Sequence, residues 1–113
     1  MNAYVIKELD EKELLELIAE GDRTLAVFLQ SPFCGTCKAA KRMLEVAGLL
    51  IPEEIQLVSG NINMLPELVS RYRISGIPAL LILNRDRTVP PAIHYRFHSV
   101  ETVLGYIRSV NSS

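Results

Sequence analysis

The sequence predicts an α/β sandwich whose central sheet is mixed. Two short continuous apolar runs, within Thr24 to Gln30 and Ala79 to Leu83, have the character of strands buried on both faces. Around them lie segments whose apolar residues recur at helical spacing, and strands alternate with helices up to a closing hairpin and a last helix. A chain of 113 residues that is 49% hydrophobic fits one compact domain over 1–113.

The first helix is announced by Asp10 as N-cap with Glu13 one turn on. Leu14, Leu15, Leu17 and Ile18 follow at helical spacing, so the helix should run to Ala19 and stop near Gly21. The strand Thr24 to Gln30 comes next and is broken by Ser31-Pro32-Phe33. From Thr36 to Ala47, Cys37, Ala40, Met43, Leu44 and Ala47 form one apolar stripe, with Lys38, Lys41, Arg42 and Glu45 mostly off it and Gly48 as the stop. Ile55 to Val58 reads as a strand, Pro66 to Tyr72 as a short helix and Ala79 to Leu83 as another buried strand. Asn84 to Arg87 forms a hairpin turn into a strand over Ile93 to Phe97. Ser99 then caps a helix carrying Val100, Val103, Leu104, Ile107 and Val110.

Twelve Lys+Arg against thirteen Asp+Glu leave a net charge of -1, so no broad basic field exists to collect nucleic acid or anionic lipid. The N-terminus lacks the basic, apolar and small-residue regions of a secretory signal. The apolar runs are far shorter than the ~20 residues that span a bilayer. The expected compartment is therefore the cytoplasm, with no membrane partner.

The chain has 2 cysteines, Cys34 and Cys37, and they lie where a strand ends and a helix begins. In a reducing compartment such a pair points to redox or metal chemistry before structural cross-linking. A sulfur at the first helical turn faces unpaired backbone N–H groups and the positive end of the helix dipole, which favour thiolate over thiol. Cys34 is thus the candidate nucleophile. Cys37, one turn on, is close enough to resolve a mixed disulfide. Gly35 lets the chain enter the helix tightly and keeps bulk away from an incoming disulfide.

Half a zinc site and two inert neighbouring thiols are the alternatives. A structural zinc site needs four N/S ligands, and only His94 and His98 are available to complete one. On a strand they stand ~13 Å apart at ~3.3 Å per residue, too far to share a metal. No metal is expected, and the histidines read as solvent-facing sheet residues. A second constellation is Gly76-Ile77-Pro78 directly before a core strand. An Ile-Pro there is ordinarily just a strand start, but behind a strand, Cys-x-x-Cys and helix it is far more specific.

With these features the chain resembles the thioredoxin family over nearly its whole length. The likeness is carried by Phe33-Cys34-Gly35-Thr36-Cys37-Lys38, by Asn61-Ile62-Asn63 after a strand, and by Tyr72-Arg73-Ile74-Ser75-Gly76-Ile77-Pro78-Ala79-Leu80 before one. The resemblance implies a thioredoxin fold, with helices on both sides of the sheet. It also implies a cis peptide at Ile77-Pro78 packed beside the cysteines, with the Ile77 backbone pairing with an extended substrate segment as an added strand would. Cys34 and Cys37 are then catalytic, and Phe33, Gly35, Thr36, Gly76, Ile77 and Pro78 form the substrate face. No cofactor beyond the cysteine pair is implied.

The chain departs from the family pattern at several positions. Phe33 replaces a tryptophan and loses its indole N–H. Thr36 replaces a proline between the cysteines, adding a hydroxyl near the sulfurs and altering the reduction potential. Arg42 replaces a second proline, so the helix should lack its kink. The family's buried aspartate aligns with Phe28 and its nearby lysine with Ser59. Losing both together is physically coherent, because a buried ammonium without its carboxylate is costly. It leaves Cys37 without an internal base. Lys38 reads as a solvated helix lysine.

Two functions follow as expectations. One is a thiol-disulfide oxidoreductase acting as a monomer on disulfide-containing protein substrates and recycled by a separate disulfide reductase. The other is a partner-binding module with weak or regulatory redox activity.

Overall fold

In the computed structural model, residues 4–111 are described. They form β1 (Lys7–Glu8), α1 (Glu11–Glu20), β2 (Thr24–Gln30), α2 (Gly35–Ala47), β3 (Ile55–Asn61), a 3-10 turn (Ile62–Met64), α3 (Pro66–Tyr72), β4 (Ala79–Leu83), β5 (Ala92–His94) and α4 (Val100–Asn111). The sheet has 5 strands in the order β1-β3-β2-β4-β5. Strands β1, β3 and β2 run parallel, while β4 is antiparallel to β2 and β5 to β4. The expected mixed sheet is present.

The continuous apolar runs follow from burial on both faces. Ala26, Phe28, Leu80 and Ile82 join Cys37, Ala40 and Leu44 of α2 and Val103 and Ile107 of α4 in one core cluster. Leu25, Val27, Leu29 and Leu81 join Leu14 and Ile18 of α1 and Leu68 of α3 in the other. Successive strand residues alternate between the two layers, so every position in β2 from Leu25 to Leu29 needs an apolar side chain. Helices thus cover both faces of the sheet.

Local signals set the helix ends. Glu13 N–H donates to Asp10 Oδ1 at 2.8 Å and Asp10 N–H donates to Glu13 Oε1 at 3.0 Å, which closes a capping box on α1. Gly21 ends the helix at φ 62, in the left-handed region that suits glycine. Helix α2 is unbroken over 13 residues, as expected with Arg42 in place of a proline.

Several boundaries differ from the sequence expectation. Strand β3 continues through Ser59 and Gly60 to Asn61, because backbone pairing with Phe28, Leu29 and Gln30 overrides their weak strand propensity. A Cβ on Gly60 would stand 2.7 Å from Leu65 Cδ1, so its place in the strand depends on the missing side chain. Strand β5 ends at His94, and Tyr95 to His98 leave the sheet. His94 is half-buried and stacked on Tyr106, with ring centroids 3.6 Å apart and planes at 5°, where a solvent-facing position was expected. The two-residue β1 has no sequence signature.

The loop between β4 and β5 is anchored by Arg87. Its guanidinium donates to the carbonyls of Ile18 (3.0 Å) and Leu17 (3.2 Å) in α1 and of Arg23 (2.7 Å) beyond it. It satisfies carbonyls left open at the end of the helix and places a cation at the negative end of the dipole.

Candidate redox site

Strand β2, the central strand, delivers the chain to its C-terminal end at Gln30, and Ser31 turns it. Cys34 N–H donates to the Ser31 carbonyl at 3.1 Å. Ser31 Oγ accepts from Phe33 N–H at 3.2 Å and from Asn63 Nδ2 at 3.3 Å, tying the loop to the 3-10 turn that follows β3. Cys34 then takes extended backbone angles, φ -93 and ψ 110, as N-cap of α2, with no side-chain cap bond. Its sulfur therefore stands at the open N–H end of a helix.

Cys34 and Cys37 are joined as a disulfide, with Cα atoms 5.3 Å apart. The two are unequal in access. Cys37 is 1% exposed and belongs to the core cluster beneath α2, whereas Cys34 is only half-buried. Thr36 Oγ1 lies 3.5 Å from Cys34 Sγ. With Cys34 in a disulfide, only the threonine hydroxyl carries a hydrogen, so it is the donor.

Ile77-Pro78 is a cis peptide. Ile77 packs against both core clusters, and Pro78 shares with Thr36 the lining of one cleft. Gly35 and Gly76 are exposed, and a Cβ at either would meet nothing within 4 Å. The tight helix entry therefore does not itself require glycine at position 35. Phe33 is 91% exposed and forms no packed platform in the free chain.

Cys34, Cys37, Thr36 and Pro78 thus converge, with Phe33 projecting beside them. Sequence reading had not placed Ala39, Tyr95 and Phe97 here, nor Met64, which is 68% exposed in the turn tied to Ser31. The one signal for the aromatics was their period-2 spacing in the closing segment. Behind the site, Phe28 is fully buried in the same core layer as Cys37 and pairs with Ser59 in the sheet register. Among the described residues no acidic side chain is buried beside Phe28 and Cys37. Lys38 is exposed. Among the described residues no group of three or more His, Cys, Asp or Glu side chains could hold a metal ion.

A mixed sheet between two helix layers, with a Cys-x-x-Cys pair at a strand-to-helix junction and a cis-proline beside it, defines the thiol-disulfide oxidoreductase class. Residues 5–97 match the model of the Thioredoxin family. The chain is 32% identical over 108 residues to "Thioredoxin-like protein YusE" of Bacillus subtilis (strain 168), covering 96% of each. It is 24% identical over 83 residues to "Protein disulfide-isomerase 2-3" of Arabidopsis thaliana, which is 74% of this chain and 19% of that protein. Among solved structures, chloroplastic thioredoxin z has the same fold, with a TM-score of 0.82 at 22% identity over 96% of each chain. The chain belongs to the thioredoxin family.

Proposed function

We propose that the protein reduces disulfides in other proteins, with Cys34 as nucleophile and Cys37 as resolving thiol. The observation that carries this reading is the unequal pair: a reachable sulfur at a helix N-terminus bonded to a buried one a turn away. In the reduced protein the Cys34 thiolate attacks one substrate sulfur. The substrate S–S bond breaks, a mixed disulfide forms, and the displaced sulfur leaves as thiolate and takes a proton. Cys37 then gives its proton to water, because among the described residues no carboxylate is buried behind it, and its sulfur attacks Cys34. The mixed disulfide breaks, the second substrate sulfur leaves and is protonated, and the Cys34–Cys37 disulfide closes. The substrate gains two electrons and two protons, and a dithiol reductant restores the pair.

In this reading the substrate segment lies along Ile77 and Pro78, held by the Ile77 backbone, with Phe33 as an apolar contact that packs only when a partner arrives. Gly35 and Gly76 keep the approach open. The reaction needs no cofactor or metal, and it suits a monomer in a reducing cytoplasm served by a separate reductase. Phe28 favours a second reading, in which slow turnover makes the protein mainly a partner-binding module.

The test has two parts. Cys34 should react with iodoacetamide at neutral pH much faster than Cys37, and the protein should speed insulin reduction by dithiothreitol. Equal, slow alkylation and no rate above dithiothreitol alone would sink the reductase reading. Cys37→Ser should trap mixed disulfides with partners.

A further inference from the structure

Beside the cysteine pair lies a cleft of about 370 Å³ lined by Thr36, Ala39, Ala40, Pro78, Tyr95 and Phe97. Its walls come from three separate parts of the chain. Ala39 and Ala40 keep the α2 side low, because neither carries more than a methyl group. Tyr95 is held upright at the lip, its hydroxyl oxygen accepting from Ser75 N–H at 3.1 Å. Phe97 forms the floor and packs edge-on against Phe28, with ring centroids 5.8 Å apart and planes at 77°. The residue standing where the family has its buried acid therefore supports an apolar floor next to the disulfide. The cleft has the size for one bulky apolar side chain.

The charged residues in the segments that line it are mainly cations. Lys38 sits in the first turn of α2, Arg73 in the loop leading to the cis-proline, and Arg96 between the two cleft aromatics. All three are exposed, and no ion pair among the described residues engages them. Of the acidic groups at this end of the sheet, Glu101 opens α4 in the same layer as the cleft, and the following belong to the opposite layer. Asp10, Glu11 and Glu13 open α1, and Glu67 pairs with Arg71 at 2.8 Å in α3. A chain of net charge -1 thus carries three exposed cations, against Glu101, in the segments that flank its reactive sulfur.

The geometry points to a substrate class: protein disulfides flanked by acidic residues, with a bulky apolar side chain near the reacting cysteine that enters this cleft. The inference rests on the reductase reading above and adds its selectivity. Cationic groups around the attacked disulfide attract acidic flanks and repel basic ones, an effect on encounter rate and register. The cleft supplies the apolar contact, continuous with Thr36 and Pro78 of the redox site.

The experiment uses the reduced full chain in single-turnover reactions with disulfide-linked peptide dimers of one scaffold. Their cysteine is flanked by Glu or by Lys, with Phe or Ser two residues away. Each rate is divided by that of the same peptide with dithiothreitol, which removes differences in intrinsic reactivity. At low salt the Glu, Phe peptide should react roughly tenfold faster than the Lys, Phe peptide, and the ratio should shrink toward one in 0.5 M salt, on the order of the screening expected for exposed charges. Phe→Ser in the acidic peptide should cost several-fold. Arg96→Glu should lower the Glu-to-Lys ratio, and Ala39→Leu, which fills the cleft from an exposed helix position, should erase the advantage of Phe over Ser. Glu and Lys peptides reacting within about twofold of each other at low salt would overturn the inference. So would indifference to Phe or Ser. Neutral hydroxyethyl disulfide separates the two levels. If it is reduced while the peptides are not distinguished, only the selectivity falls; if it is not reduced, the reductase reading falls and takes the selectivity with it.

Discussion

Phe28 and Ser59 stand opposite each other in the parallel pairing of β2 with β3, both buried, 0% and 1% exposed. Positions that carry an acid and a base in the family are therefore neighbours in this fold, and their joint replacement leaves neither charge stranded. Phe28→Asp should destabilise the protein by at least about 3 kcal/mol, through lost apolar packing and an unpaired buried carboxylate. Adding Ser59→Lys should restore part of that loss. Urea midpoints of the two single variants and the double variant measure the coupling, and strictly additive losses would show that no pair forms between these positions.

On the proposed mechanism, Thr36 should tune Cys34. Its hydroxyl is 3.5 Å from Cys34 Sγ and would donate to the thiolate once the disulfide opens. Thr36→Val keeps the shape and removes the donor, so Cys34 should ionise at higher pH. A hydrogen bond worth about 1 kcal/mol corresponds to roughly fivefold in the ionisation constant. The pH profile of Cys34 alkylation by iodoacetamide reads the shift, and an unmoved profile would remove Thr36 from the mechanism. The Cys34–Cys37 potential, measured against a glutathione series, should move in the same variant.

Burial against Tyr106 holds the His94 imidazole below its ordinary titration range. The folded state therefore resists protonation that the unfolded chain accepts near the usual value of about 6.5. His94's contribution to stability is complete above that pH and is lost as the pH falls toward the depressed folded value. His94→Phe retains a ring for the stack and removes the proton uptake. Urea midpoints at pH 7.5 and 5.5 should differ less in His94→Phe than in the wild type; an equal difference would place the acid sensitivity elsewhere.

Arg87 should matter more for stability than an ordinary loop arginine. Its guanidinium bonds to carbonyls at the end of α1 and beyond, which no water replaces without opening the loop. Arg87→Ala should cost about 1–3 kcal/mol by thermal or urea unfolding. Arg87→Lys should recover little, since an ammonium cannot serve several carbonyls in a fork. Full recovery with lysine would mean that charge near the helix end, and not the bonding pattern, is what counts.

Some of this molecule is settled within single turns and single strands, and there the sequence alone was enough. Asp10 and Glu13 cap α1 across one turn, Gly21 ends it, the apolar stripe of α2 repeats within its own helix, and Leu25 to Leu29 declare a strand with no wet face. Cys34 and Cys37 belong to this set, since a strand end, a helix start and one turn of spacing are all local. Tertiary structure decided the rest, because it depends on which distant segments meet. Backbone pairing with β2 carries β3 through Ser59 and Gly60, and two residues become β1 only by lying against Val58 and Ser59. The end of β5 at His94 frees Tyr95 and Phe97 to reach Thr36 and Pro78, so the cleft beside the disulfide exists only in the folded chain. The cysteine pair, Thr36 and Pro78 are legible in the sequence, whereas Ala39, Tyr95 and Phe97 join them only because the fold brings three distant segments together.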